Sequence, residues 1–176
     1  MKALVGAALL LVSGALFAQG WRDQNGTLAP NTDSRKSEKG FGGWVLATTD
    51  SDWREKWQTP SFMIPHFAEA KTIARGTPVF MLMFFVNPQL DGAGEANISC
   101  DFDLTDPDGK VSTHQENAVC FKGKFKGKIY DTNLSMPVLQ VSFDPGDRSG
   151  RWEFHATLID NFRNVALPLK TSFVLQ

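Results

Sequence analysis

Cysteine is scarce in this chain: of 176 residues only Cys100 and Cys120 carry a thiol. They do not form a C-x-x-C pair, which excludes the usual layout of a redox-active disulfide. No cysteine lies near residue 20, so a lipid anchor on a new N-terminal cysteine is not expected. Tyrosine appears once and histidine three times. There is no G-x-S-x-G elbow, no H-E-x-x-H and no P-loop, so the chain offers no ready-made catalytic motif. Gly92, Ala93 and Gly94 lack the third glycine of a dinucleotide fingerprint and precede a strand pattern, not a helix. The acids Asp101, Asp103, Asp106 and Asp108 fail the register of a calcium loop, because no glycine falls at its sixth position. Charge of one sign is also missing. A net charge of −1 gives no global electrostatic case for nucleic acid. After residue 20 no apolar run is long enough for a membrane-spanning helix.

The start of the chain is the most patterned part. Met1 and Lys2 make a short basic start, and residues 3–17 are apolar or small. Ala18, Gln19 and Gly20 close the run. This three-part layout predicts a secretory signal peptide over residues 1–20. Export makes a Cys100–Cys120 disulfide the expected state of the two thiols. About 155 residues remain, enough for one domain with a core.

Residues 21–40 are polar, with Gly26, Pro30 and a charge cluster from Arg35 to Lys39, and read as a flexible segment. Residues 41–176 read as a single β-rich domain. Residues 44–49 and 78–86 have strand patterns. Ile98, Cys100, Phe102 and Leu104 alternate with Ser99, Asp101 and Asp103. Asp106, Pro107, Asp108 and Gly109 are a strong turn signal, with residues 110–114 returning as a hairpin partner. Residues 120–130, 138–143, 151–159 and 167–175 complete the set. One helical turn is expected over residues 50–58, where Asp52 and Glu55 fit a capping box and Trp53 and Trp57 share a face. Seven or eight short strands at this spacing predict an all-β, antiparallel sandwich.

The stretch Gly150, Arg151, Trp152, Glu153 and Phe154, reached through Asp147, resembles the D-x-x-G-x-[YW] approach to a late strand of immunoglobulin-like domains. The Pro107-Asp108-Gly109 turn is similar to one common in bacterial exported domains of that type. The resemblance covers residues 72–176 and implies an immunoglobulin-like β-sandwich. It implies no activity.

Two patterns point to contacts. Residues 79–86 are apolar on both faces, whereas a sandwich strand normally shows one face to water. Either residues 44–70 cover the outer face, through Trp44, Trp53, Trp57, Phe62, Met63, Ile64 and Phe67, or a partner does. Lys122, Lys124, Lys126 and Lys128 fall at period two, which puts all four on one side of a strand about 6.6 Å apart. That row is a solvated or edge-protecting face, a set of partners for Asp101 and Asp103, or a site for an anionic polymer or acidic protein. Met81, Met83, Met63 and His66 raise a soft copper site, against which methionine in an apolar strand is normally core filling.

The expectation is an exported, periplasmic or secreted, non-enzymatic binding or accessory protein of the bacterial envelope, acting by protein–protein contact. The candidate contact residues are Trp53, Trp57, Lys122, Lys124, Lys126 and Lys128. An envelope protein or an anionic polymer is the expected partner, with no cofactor and no metal. A glycan-binding module would instead expose Trp53 or Trp57 beside polar groups. An enzyme would set His66, His114 or His155 in a cleft near an acid.

Overall fold

A computed structural model describes residues 21, 27, 29–59 and 65–176. The signal-peptide reading of residues 1–20 therefore lies outside the described residues, as do Phe62, Met63 and Ile64. The elements in chain order are β1 Arg35–Glu38, β2 Phe41–Thr48, α1 Trp53–Trp57, β3 Thr72–Ile73, β4 Val79–Val86, β5 Glu95–Thr105, β6 Val111–Lys124, β7 Asn133–Leu134, β8 Leu139–Val141, β9 Gly150–Asp160 and β10 Val165–Leu175. They build two sheets. One runs β1-β2-β4, with β7 and β8 pairing different stretches of β4; the other runs β3-β10-β9-β5-β6.

The all-β sandwich expected from strand spacing is what forms. Two features differ from the expectation. The second sheet is not wholly antiparallel, because β3 runs parallel to β10. The ten described strands exceed seven or eight because β3 and β7 are only two residues long and β8 three, too short to show alternation. The flexible reading of residues 21–40 is corrected at Arg35. Arg35–Glu38 forms an edge strand whose Arg35 and Glu38 pair with Trp44 and Phe41 of β2. A four-residue edge strand is held by backbone bonds alone, so its charged side chains read as loop. Trp21 ties in beside it, its indole N–H reaching the carbonyls of Lys36 and Gly43 at 3.2 Å each.

The main core lies between the sheets. Val79, Met81, Met83 and Phe85 of β4 meet Ile98, Phe154, Leu158, Leu167 and Phe173 from the second sheet. Gly43 lets β2 approach closely, since a Cβ there would sit 2.9 Å from Leu158 and 3.0 Å from Leu169. The alternate residues Phe80, Leu82 and Phe84 form a second cluster on the outer face. Every residue of β4 is buried, so both faces are covered.

Cys100 and Cys120 are joined, with Cα atoms 5.8 Å apart. By simple alternation Cys120 shares parity with Lys122 and should point outward. A bulge resolves this. Ile98 pairs with Phe121 but Ser99 pairs with Val119, so Cys120 is an extra residue turned inward. Two more register shifts occur along the same pair of strands. Together they let the 14 residues of β6 face the 11 of β5. This explains why β6 is one strand although the sequence pattern splits it at residues 115–119. As the edge of its sheet, β6 is guarded by these irregularities against pairing with another chain. The bond closes a span of 20 residues around the 106–109 turn. Replacing both cysteines by alanine should therefore lower unfolding free energy by about 3 kcal/mol. Urea titration checks it; an unchanged midpoint would show that β5 and β6 hold together without the link.

Candidate functional site

The outer face of β4 is the first candidate. α1 and the turns on either side of it, residues 51–59, fold back over it. The expected capping box is absent: Asp52 is the N-cap residue but makes no side-chain cap bond. Lys56 instead gathers Asp50 at 2.8 Å and Asp52 at 3.1 Å. Burial raises the Asp50 carboxyl, and hydrogen bonds from Lys56 and the Ala68 N–H outweigh it, leaving its pKa below the ordinary value. This latch seats Trp53 against Phe80 and Trp57 against Phe84, with centroids 6.1 and 5.5 Å apart. Trp44 stacks on Phe84 at 4.8 Å, and Phe67 completes the cover. Trp53 is buried, with Arg54 over its ring, and Trp57 is half-buried. Neither is an open sugar platform. The cover comes from the chain itself, the first of the two readings of the apolar strand. A groove of about 240 Å³ remains between α1 and β8, with Trp53, Phe80 and Val138 at its apolar side.

The outward face of the second sheet is the second candidate. Pairing register places His114, Asp103, His155 and Lys170 side by side on β6, β5, β9 and β10. His114 Nδ1 lies 2.5 Å from Asp103 Oδ1, and its Nε2 lies 3.4 Å from Glu116. Glu153 collects Arg151 at 3.2 Å, His155 at 3.3 Å and Lys170 at 3.7 Å. Both histidines are exposed. His66 is exposed elsewhere. Among the described residues no group of three or more His, Cys, Asp or Glu side chains is arranged to hold a metal ion. Met81 and Met83 are fully buried core residues.

The hydrogen bond to Asp103 raises the His114 pKa above its usual 6.5. A raised folded value means the charged form is favoured in the fold. Its stabilisation is complete below the ordinary pKa and is lost as pH rises through the folded one. The stability difference between wild type and His114→Gln should thus be largest below the ordinary histidine value of 6.5 and fade as pH rises above it. Denaturation at a series of pH values tests this; a difference that grows with pH would contradict the pairing.

The lysines form the third candidate. Lys122 and Lys124 end β6, opposite Asn97 and Glu95 of β5. The predicted straight row stops there. β6 ends at Lys124, with Gly123 still paired opposite Ala96; beyond it Gly127 adopts a φ of 91° and the chain bends, so Lys126 and Lys128 lie outside the strand. All four lysines are exposed. Of the readings open for the row, pairing with Asp101 and Asp103 does not occur; those acids face Asn117 and His114. Among the described residues none of the four lysines has an ion-pair partner, and the Lys124 ammonium donates only to the Ala93 carbonyl. Between them Phe125 turns inward onto Phe121, centroids 5.6 Å apart, and Phe121 in turn meets Phe85 of the core. Backbone bonds fix the segment at both ends, from Phe125 N–H to the Gly94 carbonyl and from Asn87 N–H to the Ile129 carbonyl.

The supports of this end were not visible in the sequence. Asp160, fully buried, accepts from Gln89 N–H at 2.8 Å and from Arg163 Nε at 3.3 Å. The same guanidinium reaches the carbonyls of Lys39 and Asn87. An Asp and an Arg three residues apart in a turn give no sign of reaching residues 39, 87 and 89.

No family profile matches the chain, and no curated protein matches it. Among solved structures it is similar to a family 123 glycoside hydrolase from Clostridium perfringens, studied for glycolipid glycan hydrolysis. Identity is 8%, the TM-score is 0.41, and the likeness covers 76% of this chain and 27% of that one. The chain thus spans about a quarter of that enzyme's length, and the likeness says nothing of this chain's activity.

Proposed function

We propose that this is an exported, non-enzymatic binding or accessory protein of the bacterial envelope, which docks a negatively charged partner on its lysine-bearing end. The observation that carries the reading is the set of four exposed lysines at residues 122–128, without ion-pair partners among the described residues, in a chain whose net charge is −1. A balanced chain that leaves its positive charge unpaired in one place has a local field that its overall charge does not suggest. The rigid platform beneath it supports the reading, since Phe125 anchors the segment to the core. A disulfide belongs with an oxidising compartment. Among the described residues no helix is long and apolar enough to cross a membrane. The immunoglobulin-like assignment is part of the same proposal. Trp152 supports it, donating its indole N–H to the Arg148 carbonyl at 3.0 Å in the turn before β9.

The test is the double reversal Lys124→Glu with Lys126→Glu. Both side chains are exposed, so stability should stay within about 0.5 kcal/mol of wild type. Capture of partners from envelope extract should be abolished, and wild-type capture should weaken as salt rises. Capture that survives both the reversal and high salt would remove the lysine end from the function.

A further inference from the structure

The arrangement within the lysine end narrows the chemistry of what it holds. Resting on the docking reading above, we infer that residues 122–128 are a pad for a linear polyanion, a chain carrying a phosphate or carboxylate on each repeat, rather than for a folded acidic protein. The segment reads Lys-Gly-Lys-Phe-Lys-Gly-Lys. Every second residue is an exposed ammonium. The residues between them offer little side chain to compete: two are glycine, and the third, Phe125, is half-buried against Phe121. A Cβ on Gly123 would have no neighbour within 4 Å, so the backbone there is bare on the outside. Lys122 and Lys124 thus set two charges about 6 to 7 Å apart on the extended chain, and Lys126 and Lys128 continue them through the bend.

Such a surface suits one kind of ligand better than another. Protein–protein hot spots are built from aromatic side chains and arginine seated in dry pockets, and lysine is depleted from interface cores. Here there is no arginine in the segment, and its one aromatic faces the core. Arginine presents a fixed fork that reads one geometry, whereas lysine is a mobile, hydrated charge that follows an irregular line of anions. Repeated weak contacts to one chain add through effective concentration, so the pad should favour length over any single group. Neither nearby carboxylate makes an ion pair with a lysine of the segment. Glu95 stands opposite Lys124 without forming an ion pair, and the Asp131 carboxylate accepts from the Lys128 backbone N–H at 3.3 Å.

The experiment uses the mature protein with a disulfide intact and long-chain inorganic polyphosphate labelled at one end, read by fluorescence anisotropy. The expected results are binding whose log–log dependence on salt has a slope of about −3, the value for four charges displacing condensed counterions from a single-stranded polyelectrolyte. Tripolyphosphate at equal phosphate concentration should compete at least tenfold less well. Lys124→Glu with Lys126→Glu should abolish binding, and Lys124→Arg with Lys126→Arg should keep it. Polyphosphate binding that ignores the reversal overturns the inference. So does lysine-dependent capture of an acidic protein, or of phosphatidylglycerol vesicles, by a protein that leaves polyphosphate free; either outcome preserves the docking reading. Loss of all lysine-dependent binding overturns both.

Discussion

Phe84→Ala should cost about 4 kcal/mol of stability, more than any single substitution on the surface of this protein. Phe84 is completely buried, yet it faces away from the space between the sheets. Its ring is the hub of the outer cluster: Trp44, Trp57 and Phe67 all lie within 6 Å of it, at 4.8, 5.5 and 5.9 Å between centroids. Deleting the ring removes those contacts and leaves a void that three large, hinged side chains cannot fill without moving. The five-residue α1 has little helix stability of its own and depends on this packing. The variant should therefore show red-shifted tryptophan emission before global unfolding, as Trp57 and α1 lift away. Phe84→Leu, which keeps most of the volume, should cost much less. A Phe84→Ala loss below about 1 kcal/mol would mean that the cover over β4 contributes little and that the outer face is free to accept a partner.

That prediction grew from a pattern legible in the sequence. Eight successive apolar residues could not belong to a half-solvated strand, and residues 44–70 held aromatics able to cover it, with a partner as the alternative. What the sequence did not reveal was which Trp would be spent on cover and which left for contact, because that depends on how α1 docks. The lysines show the opposite outcome. Their exposure was readable from period two, but their straightness was not. Glycine at 127, beyond the end of β6, takes a backbone angle that an extended strand does not use, and alternation carries no information about φ. Cys120 shows the same limit from the other side. Its parity pointed outward, and only a bulge, a property of two strands together, turns it in. The row from His114 through Asp103 to His155 was invisible for the same reason, since it needs the register of three strands at once.

The Asp160 and Arg163 clamp should prove the second most sensitive point. Asp160→Ala is expected to cost about 3 kcal/mol, because it leaves a half-buried guanidinium without its carboxylate and Gln89 N–H without an acceptor. The loss should not stay local. Arg163 donates to the carbonyls of Lys39 and Asn87, and the Asn87 side chain donates to the Gly40 carbonyl at 2.8 Å. The β1–β2 turn, the loop after β4 and the turn before β10 are thus held by one ion pair. Asn87 N–H also bonds the Ile129 carbonyl at 2.7 Å, so the segment bearing Lys126 and Lys128 hangs from the same clamp. Arg163→Ala alone should be comparably harmful, since it strands a buried carboxylate. The double variant should cost clearly less than the two singles together, by more than about 1 kcal/mol, because each single leaves the other charge uncompensated. A cycle measured by urea denaturation decides it: strict additivity would show that the two side chains act separately. In the same variants polyanion binding should weaken although every lysine is kept, because the platform that presents them has lost its anchor. Unchanged binding in a folded Asp160→Ala protein would show that the pad is held by Phe125 alone.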